Sequence, residues 1–389
     1  MAKDFFEKKR PWSKYKDLIL GYYLEPYLPK VDKLRKPILI VDCFAGPGQF
    51  KDGSPGSPLI ICRAIKKWSD KGVRVSGIFI EADDALFSRL QSSLQQYGPL
   101  AKPRLGTFEL QLPELAALAK SNSVFLYVDP YSVDNLRFAE MRRVYEQIQK
   151  AAASVEVLMN FNAAIFMRWG LAALKRRAEN TNFDFLIDFP KDDDDEFVGV
   201  PDDLMNGPEI TALNAIAGGD YWQEIALDPA DTFSGKLERF MTEYQKLMSS
   251  SFKWVGSCAI KSRIDDHVPK YYLVYATRSH HGIELMNEAM CKARSEFLKN
   301  ELPLFSQDTP FEEFDIQKLC ADVVALAKER TVFTRGELRL EGMKQFFGMY
   351  AAKDYNRAVK ALLEGTRLFS KTGKHRINDE VPLSKIPFG

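Results

Sequence analysis

A short segment near the start of the sequence carries residue types that suit close contact with a charged small molecule. Asp42 ends an apolar run and is followed at once by a turn that contains Gly46 and Gly48. Glycine lets the backbone approach a ligand where a Cβ atom would collide, and a carboxylate accepts a hydrogen bond from an amine or a hydroxyl. The segment therefore predicts a ligand-binding turn at the end of a strand.

A second acid, Glu81, ends the next apolar run. An acid at this position can accept hydrogen bonds from both ribose hydroxyls of a nucleoside cofactor. Acids at two successive strand ends favour adenosine with an amino-acid tail over a dinucleotide, because Asp42 would repel a pyrophosphate. The two acids are 39 residues apart, and the loop at 49–58, rich in Gly, Ser and Pro, accounts for much of that distance. This loop either covers the ligand or the substrate, or is a surface loop without function.

The catalytic residues are predicted at Asp129, Pro130 and Tyr131, directly after another apolar run. Asp129 or a neighbouring carbonyl can accept a hydrogen bond from an amino group, Pro130 stiffens the turn, and Tyr131 can stack on a flat ring. Asn160 and Asn162 add polar groups after the following run. The alternative is that Asp129 caps a helix and Tyr131 packs on a neighbouring insertion.

Four short apolar runs predict the elements that position these residues. Each is closed by a polar residue and followed by helical patterning; they lie at 37–42, 75–81, 124–129 and 155–160. Strands that alternate with helices imply a parallel sheet covered on both faces, with ligands beyond the carboxyl ends of the strands. We therefore expect an α/β, Rossmann-like, mostly parallel seven-stranded sheet whose closing residues face one crevice. Two later runs, at 252–258 and 271–277, would complete it.

The pattern of the chain predicts four parts. They are an N-terminal helical segment at 1–36, a sheet domain at 37–300 with an insertion at about 180–235, a linker at 301–314 and a C-terminal domain at 315–389. Ser13 is a good N-cap for a helix over 14–28. The insertion contains the acidic run 192–196, which favours a solvated loop over a site for a cation or a basic partner, because adjacent like charges repel.

The C-terminal part has helical segments followed by a short hairpin with its turn at Gly373, the order of a winged helix. Its net charge is +5, whereas the whole chain carries +1. The residues predicted to bind nucleic acid are two on a helix that would enter a groove and four in the wing: Arg357, Lys360, Lys371, Lys374, His375 and Arg376. The alternative is a winged helix for protein contacts, with basic residues that keep it soluble.

Composition excludes several classes of protein. With 46% hydrophobic and 28% charged residues the chain is neither disordered nor collagen-like. The five cysteines are odd in number and form no C-x-x-C pair, and the four histidines lack ligand spacing, so we expect no disulfide framework and no metal site. No apolar run reaches ~18 residues, and the first ten residues lack the apolar region of a signal peptide. We therefore expect a cytoplasmic protein.

The turn from Asp42 to Gly48, with Asp52-Gly53 and Gly56-Ser57-Pro58 after it, resembles the three-Cys-motif partner proteins, which have a class I S-adenosylmethionine methyltransferase-like fold. Trp12-Ser13 with Lys16 and the Tyr-rich helix resemble that family's N-terminal segment. Asp129-Pro130-Tyr131 is similar to its fourth-strand motif, and 273–287 to its last strand and helix. The resemblance covers most of 12–295, and the tail is similar to the winged helix that such proteins can carry.

This resemblance implies an S-adenosylmethionine site with Asp42, Gly46 and Gly48 at the methionine end and Glu81 at the ribose. Residues 108–110 would lie near the adenine. The complete predicted cofactor-binding set is Asp42, Phe44, Ala45, Gly46, Pro47, Gly48, Glu81, Ala82, Phe108, Glu109 and Leu110. The family name also implies a separate cysteine-rich partner protein. Amino-methyltransferases of bases or glutamine carry two prolines in the fourth-strand motif, whereas this chain has only Pro130, so the acceptor atom stays open.

Three functions fit these observations. The first is an S-adenosylmethionine-dependent methyltransferase acting on nucleic acid or in complex with the cysteine-rich partner. The second is a methyltransferase-like binding module, with or without cofactor, that recruits a partner enzyme to DNA or RNA, since a fold does not by itself determine a function. The third is a DNA-binding regulator that senses an adenosine metabolite.

Overall fold

The computed structural model describes residues 9–152, 154–177, 209–261, 266–301, 316–327 and 330–388. The acidic run at 192–196 and nearly all of the predicted linker lie outside these residues. Within them, no helix has the length and apolar character needed to span a bilayer.

The centre of the molecule is a seven-stranded sheet in the order β3-β2-β1-β4-β5-β7-β6. The strands are β1 (Ile38–Asp42), β2 (Val75–Glu81), β3 (Ala101–Leu105), β4 (Ser123–Val128), β5 (Val155–Phe161), β6 (Trp254–Ile260) and β7 (Tyr271–Thr277). Neighbouring strands are parallel except for β7, which is antiparallel to both β5 and β6. The predicted mostly parallel seven-stranded α/β sheet is therefore confirmed.

Helices cover both faces of this sheet. They are α1 (Pro11–Asp32), α2 (Ser57–Ser69), α3 (Asp84–Leu94), α4 (Phe108–Ala119), α5 (Phe138–Ala151), α6 (Ala163–Arg177), α7 (Ile210–Ala217), α8 (Tyr221–Leu227), α9 (Phe233–Met248) and α10 (His280–Glu301). Successive residues of a strand point to opposite faces. Val41 and Leu126 accordingly belong to one apolar core, and Ile40 and Phe125 to the other. Burial on both faces explains why these strands are continuous apolar runs.

Helix α1 crosses one face of the sheet and brings its first turns to the carboxyl ends of the strands. The predicted N-cap at Ser13 is wrong: α1 begins at Pro11, with Arg10 at the cap position. A first-turn proline is compatible with this start because that N–H would have no partner within the helix. Further along α1, Tyr23 packs on Phe125 of β4, with ring centroids 5.4 Å apart. Aromatic packing thus fixes α1 against the central strands.

The described part of the predicted insertion is built into the core. Helix α8 places Trp222 at 0% exposure. A Cβ atom added at Gly170 of α6 would lie 2.5 Å from that indole ring, so the two helices touch where Gly170 leaves room. Residues 209–235 are therefore part of the helical layer, not only a loop over the sheet.

Residues 316–327 and 330–388 form a C-terminal unit with its own apolar core. Its elements are α11 (Ile316–Leu326), β8 (Phe333–Thr334), α12 (Arg335–Gln345), α13 (Ala352–Glu364), β9 (Phe369–Ser370) and β10 (Pro382–Ser384), with an antiparallel sheet in the order β8-β10-β9. The predicted tight hairpin is wrong, because β9 pairs with β10 across a loop at 371–381. Gly373, with φ of 66°, makes only the first turn of this loop.

The C-terminal unit packs against β6, β7 and α10. The ring of Phe347 stacks on Tyr275, with 6.2 Å between centroids. Asn287 of α10 is fully buried; its Oδ1 accepts from the Gly348 N–H at 2.9 Å, and its Nδ2 donates to the Tyr350 carbonyl at 2.8 Å. A buried amide satisfied by two backbone groups of the neighbouring unit specifies one docking geometry.

Candidate active site

The carboxyl ends of four adjacent strands bring the polar closing residues into one row. The strand order β2-β1-β4-β5 places Glu81, Asp42, Asp129 and Asn160 along the same edge of the sheet. Ligands of open α/β sheets bind outside this edge. The row is therefore the candidate site.

The glycine turn after β1 holds a conformation that side chains disfavour. Gly46 and Gly48 have φ of 61° and 79°. A Cβ atom at Gly48 would lie 2.9 Å from the Cβ atom of Ser93 on α3, so the turn packs too closely for a larger residue. Both glycines thus keep the backbone of the turn close to the strand ends.

Glu81 is held in place by the turns on either side of it. Its Oε2 accepts from the Gly46 N–H at 2.8 Å, and its Oε1 accepts from the Asp83 N–H at 2.8 Å. A carboxylate offers about four acceptor positions, so about two remain for further donors. Because each oxygen is fixed by one backbone N–H and keeps room for a further donor, Glu81 suits two vicinal hydroxyls.

Asp42 lies beneath the turn rather than on its surface. It is 0% exposed; its Oδ2 accepts from the Ser57 hydroxyl at 2.7 Å and its Oδ1 from the Phe44 N–H at 3.4 Å. Burial raises the pKa of Asp42 to about 7 against the hydrogen bond from Ser57, and the charge of Asp129 raises it further. Asp42 shapes the turn from below, and Ser57, at the start of α2, supports it through a hydrogen bond that the sequence did not predict.

Asp129 carries three hydrogen bonds. Its Oδ2 accepts from the Lys16 ammonium, with which it forms an ion pair, and from the Tyr127 hydroxyl at 3.2 Å. Its Oδ1 accepts from Asn160 Nδ2 at 2.9 Å. Of the other predicted residues here, Pro130 is half-buried and Tyr131 is 48% exposed. Asn162 does not extend this network, since its Oδ1 accepts from the Ile165 N–H at the start of α6.

Two further charges accompany this ion pair and were missed by sequence reasoning. Lys9 is 7% exposed and pairs with Asp17 on the first turns of α1. Burial raises the pKa of Asp17 to about 6, although Lys9 opposes that shift. We call Lys9, Lys16, Asp17, Asp42 and Asp129 the edge cluster. Lys9, Lys16 and Asp17 come from the start of the chain, and α1, which crosses the sheet, brings them to Asp42 and Asp129 at the strand ends.

The N-terminal segment also fastens the loop at 49–58. The Lys9 N–H donates to Asp52 Oδ2 at 3.1 Å, and the Lys9 ammonium donates to the Pro55 carbonyl. The same ammonium lies 5.2 Å from the centroid of the Phe50 ring. The loop is thus anchored beside the candidate site, as a cover for a ligand requires.

The residues predicted near the adenine differ in exposure. Phe108 is 0% exposed and belongs to the core, whereas Leu110 is 72% exposed and Glu109 is also exposed. Gly106 links this segment to the site, because its N–H donates to the Glu81 carbonyl at 2.9 Å. Leu110 is therefore the apolar side chain of this segment that a ligand can reach.

The basic residues predicted to bind nucleic acid fall in two places. Lys371, Lys374, His375 and Arg376 are all exposed in the loop at 371–381. On α13, Arg357 and Lys360 are exposed too, with the Lys360 ammonium 3.5 Å from the Glu364 carboxylate. The helix and the loop therefore both present basic side chains to solvent, and an acid on α13 offsets part of the charge of the helix.

The sequence favours a helix-capping or solvent-exposed role for His280 and His281 over a role in the site. His280, His281 and Glu284 at the start of α10 place potential metal-ligand atoms within 4.8 Å of one another. Glu284 Oε1, however, accepts from the Arg339 guanidinium at 2.9 Å. An arginine already neutralises this carboxylate, so we assign no metal to the group.

The strand order, with antiparallel β7 inserted between β5 and β6, defines a Rossmann-like fold of the methyltransferase type. No protein-family model matches the sequence, and a search of curated proteins returned no match. The methyltransferase domain of bacterial CtHen1-C is similar in structure, with a TM-score of 0.32 and 9% identity over 66% of this chain and 98% of that chain. Protein LPL1258 from Legionella pneumophila has a TM-score of 0.30 and 13% identity over 40% of this chain and 69% of that chain.

TM-scores of this size do not establish a shared fold, so the fold assignment rests on the strand order. The resemblance to the three-Cys-motif partner family finds no support in a family match and stays a prediction.

Raised carboxyl pKa values at the edge predict that stability falls as pH rises. Asp42 has a pKa of about 7 in the folded chain, against 3.8 as its ordinary value. Between pH 3.8 and about pH 7 the folded chain keeps a proton on Asp42 that the unfolded chain has released. Each unit of rising pH in this range therefore lowers the free energy of unfolding by up to about 1.4 kcal/mol. Urea unfolding of the apoprotein from pH 4 to pH 8 measures this slope. The Asp42→Asn variant should show a flatter slope; an equal slope in both proteins would contradict the assignment.

Proposed function

We propose that the protein is an S-adenosylmethionine-dependent methyltransferase that acts on nucleic acid. The observation that carries the proposal is Glu81, whose two oxygens are fixed by the Gly46 and Asp83 N–H groups beside the glycine turn. A prepositioned acid next to a tight glycine turn suits a ribose followed by an amino-acid tail. Leu110, exposed beyond the neighbouring strand, offers an apolar contact for a base.

The residues present fit this cofactor in charge as well. S-adenosylmethionine supplies an activated methyl group on a sulfonium, so catalysis requires mainly that a nucleophile be held in line with it. Glu81 and Asp129 bring two carboxylates to the edge of the sheet, which suits a cofactor that carries positive charge. Tyr131, exposed on the turn after β4, can stack on the base that carries the acceptor.

The test is transfer of a labelled methyl group from S-adenosylmethionine to DNA or RNA by the full chain. Incorporation into one of them, proportional to enzyme concentration, supports the proposal. Cofactor binding without incorporation into DNA, RNA or added protein would overturn the enzymatic part.

A second candidate function is a binding module that holds a partner protein or nucleic acid without turnover. The observation that favours it is the ion pair of Asp129 with Lys16, because it engages the carboxylate proposed to orient the acceptor. Under this alternative the cysteine-rich partner implied by the family resemblance would supply the activity. A stable complex with such a partner, together with cofactor binding and no methyl transfer, would favour the module.

The proposed winged-helix role predicts a local, salt-dependent interaction with nucleic acid. Replacing Lys371 and Lys374 by glutamate should weaken binding of a fluorescent duplex and lower the dependence of log K on log salt by about 0.9 for each phosphate that these lysines neutralise. Anisotropy titrations at several salt concentrations measure both effects. The matched control is Lys33→Glu with Lys120→Glu, which changes the charge equally at exposed positions outside the C-terminal unit. Equal weakening in both double variants would contradict the wing contact.

A further inference from the structure

Both partners of the Lys16–Asp129 ion pair are mostly withdrawn from water at the edge where a ligand would bind. The Lys16 and Asp129 side chains are 12% and 17% exposed. Taking two charges out of water is costly unless each is paired. Any ligand that reaches one member must therefore leave the other with a partner.

A zwitterion meets this condition, whereas a simple anion or cation does not. A lone anion bound to Lys16 would bring a second negative charge next to Asp129, and a lone cation bound to Asp129 would bring a second positive charge next to Lys16. An amino-acid group supplies a carboxylate and an ammonium together, so one buried pair becomes two and no charge is left alone.

The surroundings of Asp129 provide a second, independent observation. Asn160 donates through Nδ2 to Asp129 Oδ1, and its own Oδ1, although buried, accepts no hydrogen bond from the described part of the chain. A buried acceptor without a donor is costly. A primary ammonium has three donors, enough for Asp129 and for Asn160 Oδ1.

Resting on the proposed function, we propose that the Lys16–Asp129 pair is the binding site for the amino-acid end of the cofactor. Lys16 takes its carboxylate, and Asp129 with Asn160 takes its ammonium. Asp129 then serves the cofactor rather than the methyl acceptor. Lys16 becomes the residue by which the protein distinguishes S-adenosylmethionine from analogues that lack the carboxylate.

The test is calorimetric titration of three ligands into wild-type protein: S-adenosylmethionine, decarboxylated S-adenosylmethionine and 5′-methylthioadenosine. We expect wild type to prefer S-adenosylmethionine over the decarboxylated form by about tenfold or more, the size of a missing hydrogen bond between charged groups. Lys16→Met should abolish that preference. Methionine cannot bind the ligand's carboxylate, and it leaves no ammonium without a partner when the ligand lacks that carboxylate. Lys16→Arg should retain it.

The matched control is Lys67→Met, which removes a lysine from an exposed ion pair with Glu25. It should bind all three ligands as wild type does. Thermal unfolding of each variant shows whether it is folded before titration. If Lys16→Met keeps the wild-type preference, or binds both ligands more weakly by the same factor, the assignment is overturned. If wild type binds no S-adenosylmethionine, the proposed function itself fails, and the wild-type titration alone shows this.

Discussion

Replacing Asp129 by alanine should reduce methyl transfer to nucleic acid below detection. The substitution removes the acceptor of three hydrogen bonds and leaves the Lys16 ammonium without its partner in a site where it is only 12% exposed. Removing one member of a buried ion pair costs about 3–5 kcal/mol. Transfer of label from S-adenosylmethionine measures the effect, and undiminished transfer would contradict a role for Asp129 in the site.

The Asp129→Asn variant separates two roles for this carboxylate. Asparagine keeps the size and one acceptor oxygen but removes the charge. If Asp129 binds the cofactor ammonium, the variant should raise the KM for S-adenosylmethionine more than it lowers kcat. If Asp129 orients the methyl acceptor, as the sequence suggested, the effect should fall on kcat. The second result would contradict the further inference while leaving the proposed function intact.

Replacing Gly48 by alanine should destabilise the protein by about 2–4 kcal/mol and abolish cofactor binding. The new Cβ atom would require a left-handed backbone with φ of 79° and would lie 2.9 Å from Ser93 Cβ. The backbone strain and the close contact would both displace the turn, whose Gly46 N–H holds the Glu81 carboxylate. Urea unfolding and cofactor titration measure the two effects.

Gly72→Ala is the matched control for this prediction. Gly72 has φ of 89°, but no atom lies within 4 Å of an added Cβ. The control therefore carries only the backbone strain, about 1–2 kcal/mol, and should leave cofactor affinity unchanged. Equal destabilisation in the two variants would show that the contact with Ser93 does not constrain the turn.

The strands and their shared edge could be predicted because the local pattern determines them. Apolar runs such as Val75–Glu81 are buried on both faces, and the polar residue that closes each run marks the carboxyl end. The acids Asp42 and Glu81 were found by that rule. Their actual partners, Ser57 and the Gly46 N–H, were not, since a hydrogen bond depends on turn geometry that residue types alone do not specify.

The pairing of charges within the edge cluster could not be predicted, because Asp42 and Asp129 were found at strand ends but their neighbours Lys9, Lys16 and Asp17 come from the distant start of the chain. Lys9 and Asp17 had no local signature; they reach the site only because Tyr23 and its neighbours pack α1 across β4. The C-terminal hairpin was misplaced for a similar reason: Gly373 does form a turn, but the partner of β9 lies at Pro382–Ser384, beyond a loop whose length the turn residue does not reveal.

The central claim is that the edge of the sheet beside Glu81 binds S-adenosylmethionine. The most direct measurement is a calorimetric titration of S-adenosylmethionine and its demethylated product into wild type and Glu81→Ala. The account predicts micromolar binding to wild type, about −8 kcal/mol, and an affinity about tenfold or more weaker in the variant. Absence of binding to the folded wild-type protein, or equal affinity in the two proteins, would contradict it.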